Sequence, residues 1–328
     1  MRRIIIMLFS SFIISCSYIT NEEIIYKIIA NDASNDEIFD VSNDTLKYIY
    51  NSFLYDSSIS DPIYSFALDS RRENIYVGYG NSKGIYKYDL NFENRIEVTT
   101  DIRLFDFIID NNDNLVVSDS DGRRIVIIDS NGSIKKSWRV YNQDNKFIFP
   151  GNIEIDYSGN IFVQCLDYNV PGGKQYIQKY DNNGNFLKQI GDKGYDDGSF
   201  FSLSNFSIDS KGNIYCCDVG KLNIQVFDNN GVFLKKFGKY GGKEDLFDGE
   251  LSAITTSNKI FIDTNDLLYI SMKGGFKIFT LEGNFVSYFE KVGAENGSIY
   301  IKVSEMRFYD NKFYIKDGTQ RIQIFTLQ

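Results

Sequence analysis

The chain of 328 residues contains no histidine. Histidine is the commonest general base near neutral pH and the partner of the serine or cysteine nucleophile in catalytic triads. Its absence excludes histidine bases, histidine metal ligands and every Ser-His or Cys-His nucleophile system.

Cysteine is also scarce, with four residues at positions 16, 165, 216 and 217. Neighbouring side chains on a strand point to opposite faces, so Cys216 and Cys217 are poor disulfide partners for each other. Three thiols after Cys16 are too few and too badly spaced for a zinc site. We interpret Cys165, Cys216 and Cys217 as strand residues and expect Cys216 to be buried.

Basic residues are outnumbered by acidic ones, 35 against 44, which gives a net charge of −9. This balance argues against a nucleic-acid partner. Proline occurs only 3 times, whereas there are 23 tyrosines and 27 phenylalanines. Aromatic richness combined with many Asn, Asp and Gly turns favours an all-β fold.

The N-terminus has the pattern of a targeting segment. A basic "MRR" is followed by the apolar stretch "IIIMLFSSFII" at 4–14, which is too short to span a bilayer as a helix. It runs into "IISC", which resembles a bacterial lipobox and implies a signal peptide at 1–15 and a lipidated Cys16. The alternative is an ordinary secretory signal with a chance cysteine. We expect a protein outside the cytoplasm, anchored by lipid to a membrane of the bacterial cell envelope.

Two recurring motifs divide the rest of the chain. The first is an apolar–x–apolar–Asp run, a turn and an apolar strand, and it occurs at 66–77, 107–117, 153–163, 206–216, 260–270 and 306–315. The second is a short strand, for example "IQVFD", and it occurs at 85–89, 125–129, 177–181, 224–228, 276–280 and 322–326. Six units with a period of about 47 residues result.

Each unit predicts four antiparallel strands, a to d, and six such sheets can bury their faces only by packing radially on one another. We therefore predict one six-bladed β-propeller over 61–328. The chain ends after strand c of the sixth unit, and we expect the strand-like segment 22–30 to complete that blade. The segment 31–60 is then a linker, in which the spacing of apolar residues favours a short helix at 42–55.

The fourth unit, "GNIYCCDVGKLNIQVFDNNGVFLKKFG" at 212–238, resembles the repeat of the NHL family of β-propellers. The Asp that follows strand b in that family is matched by Asp119, Asp218 and Asp317. It is replaced in the other units by Tyr79, Cys165 and Met272. The "G..G" that leads into the next blade is matched at Gly191-Asp192-Lys193-Gly194 and Gly238-Lys239-Tyr240-Gly241. The resemblance covers about 61–328 and implies the fold rather than a function.

The "DNNGN", "DYSGN" and "DSKGN" turns suggest calcium loops at first sight. However, EF-hand loops need oxygen ligands at alternate positions and a distal Glu, and none of these turns supplies that set. We interpret them as hairpin turns. Asp119, Asp218 and Asp317 are interpreted as carboxylates that accept N–H bonds from the next loop.

The resemblance implies that ligands bind on the face formed by the b–c and d–a loops. The third unit has the longest b–c loop, "QCLDYNVPGGKQ" at 164–175, and a long loop in an economical repeat is a functional hint. We name Tyr168 and Lys174 as its contacts. The basic and aromatic residues expected near the same face are Arg123, Arg124, Tyr195, Lys221, Tyr240, Lys273 and Arg321. Solvated loop residues and a neutral insertion are the alternatives.

Two classes of function remain. The first is a non-catalytic, monomeric binding module that presents this face to a protein, peptide or glycan and needs no cofactor; we favour it. The second is an enzyme. Six-bladed relatives include histidine-dependent lyases, which the residue count excludes, and calcium-dependent lactonases, which need Glu, Asn and Asp converging on the central channel. The sequence contains carboxylates enough but no matching motif that we can place.

Lipidation can be tested directly. Substitution Cys16→Ala removes the sulfur that would be acylated, so it should block both acylation and cleavage at this site. Intact-mass measurement of the native protein should show a lipid on Cys16. A native protein without lipid at Cys16 would contradict the membrane anchor.

Overall fold

The computed structural model describes the backbone and side chains of 51, 53–54, 61–80, 84–99, 102–238, 259–272, 274–291, 293, 298–299, 303–318 and 321–326. For 4–9, 12–17, 27–29, 38–40, 47–50, 52, 240–241, 247–248 and 327 it describes the strands without their side chains. The described residues contain no helix that is long and apolar enough to cross a membrane. Side chains of Tyr240 and Cys16, and all of Lys273, lie outside the described part.

Six antiparallel sheets form the blades. In blades 1 to 5 the strands lie in sequence order from a to d, and in blade 6 the first three strands do. Blades 1 and 2 comprise Ile63–Leu68, Asn74–Tyr79, Gly84–Asp89 and Ile96–Thr99, then Leu104–Ile109, Leu115–Asp119, Arg124–Ile128 and Ile134–Arg139. Blades 3 and 4 comprise Phe149–Ile155, Ile161–Asp167, Lys174–Tyr180 and Phe186–Ile190, then Leu203–Ile208, Ile214–Asp218, Asn223–Phe227 and Phe233–Phe237. Blade 5 comprises Ile260–Ile262, Leu267–Met272, Gly275–Thr280 and Phe285–Glu290, and blade 6 begins with Glu305–Tyr309, Lys312–Lys316 and Ile322–Leu327. The predicted six-bladed β-propeller of four-stranded blades is confirmed.

The sixth blade is completed by the N-terminal part of the chain, but not by the segment we expected. Strand d is Lys47–Leu54, which pairs antiparallel with Ile322–Leu327, and Ile38–Asp40 adds a fifth strand. Within 22–30 the structure describes Lys27–Ile29, which pairs with Phe12–Ser17, itself paired with Ile4–Phe9. The expected closing strand at 22–30 is therefore wrong, and so is the helix at 42–55.

Chain connectivity explains this correction. Leu54 precedes strand a of blade 1 by a short connection, as strand d precedes strand a in the other blades, whereas 22–30 would need a long one. The apolar residues of 42–55 that suggested a helix also fit a strand. The open edge of Ile322–Leu327 offers this strand its backbone hydrogen-bond partners. Both segments are short and apolar, so local pattern alone does not separate them.

The core lies between the blades. Six buried clusters each join two neighbouring sheets, and one of them packs Leu54, Ile63 and Phe66 against Ile322. That cluster joins blade 6 to blade 1 and closes the circle. Cys165, Cys216 and Cys217 are buried strand residues in these clusters, as predicted.

The Asp-rich turns are hairpin turns. In the turn at 181–185, Asp181 Oδ1 accepts the backbone N–H groups of Asn183 and Asn185, both at 2.8 Å. Gly184 has φ of 80°, which a residue with a Cβ seldom adopts. The carboxylate thus accepts hydrogen bonds from the backbone of its own turn, which confirms the hairpin interpretation. Asp218 likewise accepts the N–H groups of Gly220 and Lys221 in the next loop, and also those of Phe201 and Ser202 just before strand a.

Closure by Lys47–Leu54 predicts the behaviour of two truncations. A chain starting at residue 56 loses strand d of blade 6 and uncovers Ile63 and Ile322, so its melting temperature should fall markedly or the protein should aggregate. A chain starting at residue 31 keeps that strand and is the matched control. Thermal melts of the two should differ clearly. Equal melting temperatures would contradict this closure.

Candidate active site

The six innermost strands place one polar side chain each around the central channel. These residues, which we call the polar ring, occupy equivalent positions opposite strand b in the six blades: Ser65, Asp106, Asn152, Asn205, Lys259 and Glu305. In blades 1 to 4 the pairing of strand a with strand b is irregular at or just before this residue. Such bulges re-aim a side chain, here from the interface between blades into the channel.

Side chains of the polar ring satisfy the backbone of the neighbouring innermost strand. Asn205 Oδ1 accepts the N–H of Ile260 at 3.1 Å, and Asn152 Nδ2 donates to the carbonyl of Ser204 at 3.1 Å. Ser65 Oγ donates to Asp106 Oδ1 at 2.7 Å. Strand a is the edge of every blade, so its unpaired groups need such partners, and polar residues are required here for structural reasons as well.

Lys259 reaches across the channel. Its Nζ donates to Asn152 Oδ1 at 2.6 Å and lies 3.3 Å from Glu305 Oε2. These partners belong to blade 6, which adjoins blade 5, and to blade 3, which is separated from blade 5 by blade 4. The ammonium therefore bridges three blades at the level of the polar ring.

A second ring lies two residues further along each strand a, and it contains Ala67, Ile108, Glu154, Ser207, Phe261 and Arg307. Arg307 Nη1 is paired with Glu305 Oε1, and its Nη2 lies 3.9 Å from Asp106 Oδ1. Ion pairs of Arg307 thus connect the second ring to the polar ring. Glu305 is nearly inaccessible, at 2% exposure, whereas Arg307 and Lys259 keep 16% and 19%.

The pKa values of these groups follow from burial and from their partners. Burial opposes ionisation of Glu305, but the charges of Arg307 and Lys259 outweigh it and lower its pKa. Burial raises the pKa of Asp106, and Lys259 and Arg307 only partly offset this. Burial also opposes the charge of Arg307, yet Glu305 and Asp106 raise its pKa further. Glu305 and Arg307 are therefore an ion pair at neutral pH.

Glu154 differs from the other channel carboxyls. Burial raises its pKa to about 7; Arg307 opposes the rise, while Asp106 and Glu305 add to it. A carboxyl poised near neutral pH can accept and return a proton, which is the requirement for a general base. Such shifts also occur in structural networks, but Glu154 faces a cavity.

The cavity measures 350 Å³ and lies at the end of the channel where the a–b turns meet. Its polar lining includes Glu154, Arg307, Tyr309, Arg72 and Asp110, and its apolar walls include Ile108, Phe261 and Phe308. The Arg72 guanidinium lies over the Tyr309 ring, 4.5 Å from its centroid. This cavity brings together a base, a cation and a phenol.

A second cavity of 330 Å³ lies at the rim between blades 2 and 3, among Trp138, Tyr141, Tyr180 and Phe186. Besides these aromatic residues, two of them tyrosines, its lining contains amides, Gly184 and Arg139, but no carboxylate. It therefore provides no acid–base pair, and we take the channel as the candidate active site.

The residues predicted from the sequence lie on the opposite face, on the b–c and d–a loops and adjoining strand ends. Arg123 packs over the Phe149 ring at 4.4 Å, and the Tyr168 ring lies 5.7 Å from the same ring. These two predicted residues are brought together. Each of the other described residues has its own partner: Lys174 pairs with Asp192, Arg124 with Asp119, Lys221 with the carbonyl of Ser199, Tyr195 stacks on Phe201, and Arg321 lies near the Phe53 ring. Their role in binding stays a prediction.

Sequence reasoning missed the polar ring, although a signal was present. Each copy of the first motif begins at the apolar residue directly after a ring residue, as Phe107 follows Asp106 and Ile153 follows Asn152. A polar residue stands before that apolar residue in all six units. Strand periodicity alone does not show that these positions converge, because convergence requires the closed circle of blades.

The polar ring contains the Glu, Asp and Asn residues that a calcium-dependent lactonase would need, but their surroundings do not fit calcium. Calcium takes six to eight oxygen ligands. Here Asn152 Oδ1 and Glu305 Oε2 face the Lys259 ammonium, Glu305 Oε1 faces Arg307, and Asn205 Oδ1 accepts a backbone N–H. A divalent ion about 4 Å from an ammonium would meet roughly 8 kcal/mol of repulsion at an effective dielectric constant of about 20. The described residues contain no group of three or more Cys, Asp and Glu that could hold a metal.

No protein-family model and no curated protein matches this chain. Solved structures do. A gluconolactonase from Xanthomonas campestris matches with a TM-score of 0.64 and 12% identity over 90% of this chain and 96% of its own. A virginiamycin B lyase from Staphylococcus aureus has a TM-score of 0.58 and 13% identity over 86% and 99%. A calcium-binding regucalcin from Agrobacterium tumefaciens has a TM-score of 0.58 and 9% identity over 84% and 93%. At these identities the likeness shows the fold.

These matches correct our functional interpretation. We favoured a non-catalytic binding module and leaned against an enzyme, but the neighbours named for their function include a gluconolactonase and a lyase. The enzyme alternative is therefore the better interpretation, and the binding module is rejected. The more specific NHL resemblance is not supported by a family match.

The pKa of Glu154 predicts a pH-dependent stability effect. Its folded pKa of about 7 lies above the unfolded value of about 4.3, so the folded protein is penalised as pH rises between these values. Glu154→Gln should be more stable than wild type by roughly 3 kcal/mol at pH 8, with no such gain near pH 4. Urea unfolding at both pH values measures this. The exposed Glu97→Gln is the control, and an equal gain at both pH values would contradict the assignment.

Proposed function

We propose that the protein is a hydrolase that opens a small lactone or ester at the end of the central channel. The observation that carries this proposal is the pairing in one cavity of Glu154, whose pKa is about 7, with the guanidinium of Arg307. Lactone hydrolysis needs a base for water and a cation for the oxyanion. The gluconolactonase fold of the X. campestris neighbour supports this class of reaction.

These two residues account for the proton transfers and the charge that hydrolysis requires. The Glu154 carboxylate takes a proton from water as the water oxygen forms a bond to the carbonyl carbon. The carbonyl oxygen becomes an anion, which Arg307 stabilises by charge and N–H donation. When the tetrahedral species collapses, the acyl C–O bond breaks and the leaving alkoxide receives the proton from Glu154. The base is thereby restored.

Elimination is less well supported. A histidine-to-alanine variant of the S. aureus virginiamycin B lyase is named as catalytically inactive. The present chain has no histidine, so the chemistry of that lyase cannot be transferred to it. Hydrolysis by a carboxylate base needs no histidine.

We also propose that the enzyme acts as a monomer in the cell envelope, held by a lipid on Cys16. The basic start, the apolar run and "IISC" support the anchor.

Activity should be measured by pH-stat on aldono-lactones of five- and six-membered rings and on simple aryl esters. Glu154→Gln and Arg307→Met should each lower kcat/KM by about 10²- to 10⁴-fold. Because the base must be ionised, wild-type kcat/KM should fall about tenfold per pH unit below about pH 7. The exposed Glu97→Gln is the matched control and should keep the wild-type rate.

Two results would contradict the proposal. The first is that Glu154→Gln, shown to be folded by circular dichroism, hydrolyses the same substrate at the wild-type rate. The second is that wild type hydrolyses none of the lactones and esters.

A further inference from the structure

Lys259 lies where the oxygen atoms of the polar ring converge. Its Nζ is 2.6 Å from Asn152 Oδ1 and 3.3 Å from Glu305 Oε2, two oxygens from blades that do not adjoin each other. Its side chain is 19% exposed, and Glu305 is 2% exposed. The ammonium is therefore largely enclosed by its partners, and an amide oxygen and a carboxylate oxygen are held at contact distance by one cation.

The strand that carries Lys259 fixes it firmly. Its backbone N–H donates to Ser271 Oγ on strand b at 2.9 Å, and the next N–H, of Ile260, donates to Asn205 Oδ1. The backbone is thereby anchored both to its own blade and to the preceding one. The ammonium extends from this anchored position across the channel to Asn152.

The charge of the channel depends on this lysine. The carboxyls of Asp106, Glu154 and Glu305 interact with Lys259 and Arg307, and Lys259 lowers the pKa of each of the first two. It also helps to keep Glu305 ionised. Without Lys259, the oxygens of Asn152 and Glu305 would face the channel with less positive charge against them.

We propose that Lys259 is a built-in substitute for a divalent cation, seated in a cradle of oxygen atoms that would otherwise bind calcium. The cradle consists of Asn152 Oδ1 and Glu305 Oε2. The carboxyl of Asp106, in the same polar ring, interacts electrostatically with Lys259. A tethered ammonium supplies positive charge to the channel without exchange with solvent, and it makes the site independent of metal. Its use as a fixed cation for the substrate rests on the proposed function, whereas the occupancy of the cradle does not.

The test removes the ammonium group of Lys259 and measures whether the protein then binds calcium. Isothermal titration with calcium chloride and thermal melts in calcium should show no site on the wild-type protein. Lys259→Met keeps the length of the side chain and removes its charge, so it should gain a site for one calcium ion that wild type lacks. Lys259→Gln should behave alike and serves as a second variant if Lys259→Met does not fold. In both, the melting temperature should rise with calcium concentration.

Two controls locate the effect. Adding Asn152→Ala to Lys259→Met removes a cradle oxygen and should abolish the gained calcium binding. Lys193→Met, which removes an exposed lysine of the rim, should gain none.

Calcium binding by wild type with one-to-one stoichiometry would overturn the proposal. So would folded Lys259→Met and Lys259→Gln proteins that bind no calcium, because the oxygens would then not form a cation cradle. These outcomes are independent of catalysis. A protein without lactonase activity could still gain calcium, and an active hydrolase could fail to gain it.

Discussion

The structure depends on one constraint: each sheet has two apolar faces and only a neighbouring sheet to cover them. Strand b is buried along its whole length in several blades, as in Leu115–Asp119 and Ile214–Asp218. Six sheets satisfy the constraint by closing into a circle, and the last contact is made by Lys47–Leu54 beside blade 1. The position of every channel residue follows from that closure, because a missing strand would leave blade 6 without its outer edge.

Closure also creates the chemical problem of the channel. The innermost strand of each blade has one edge without a partner strand, and these six edges surround the channel axis. Polar side chains must therefore complete their backbone hydrogen bonds. Once these side chains converge in a partly dry space, their charges interact strongly. The ion pair of Glu305 and Arg307 and the bridge made by Lys259 keep the charges compensated, and Glu154 is left with a pKa near neutrality. The residues that complete backbone hydrogen bonds, such as Asn205, and the residues proposed for catalysis, Glu154 and Arg307, thus lie in neighbouring rings of the channel.

The two ends of the channel carry different kinds of residues. The exposed aromatic and basic side chains that we predicted as contacts, such as Tyr168 and Arg123, lie on the b–c and d–a side. The cavity with Glu154 and Arg307 opens among the a–b turns at the other end. Long loops therefore mark one face, whereas Glu154 and Arg307 lie on short, regular strands. A site on rigid strands is held more precisely than a site on loops, and this suits chemistry that requires fixed distances.

The amino-acid sequence alone determined the repeat, the four-stranded unit, the number of blades and the hairpin nature of the Asp-rich turns. These features are local: they depend on alternation within about ten residues and on turn chemistry such as Asp181 with Gly184. Only the tertiary structure decided which N-terminal segment closes the last blade, because 22–30 and 47–54 have similar patterns and differ in the connection that follows. It also decided which polar side chains meet in the channel. Asn152, Lys259 and Glu305 are far apart in the chain, and only the closed circle of strands brings an amide, an ammonium and a carboxylate within contact distance.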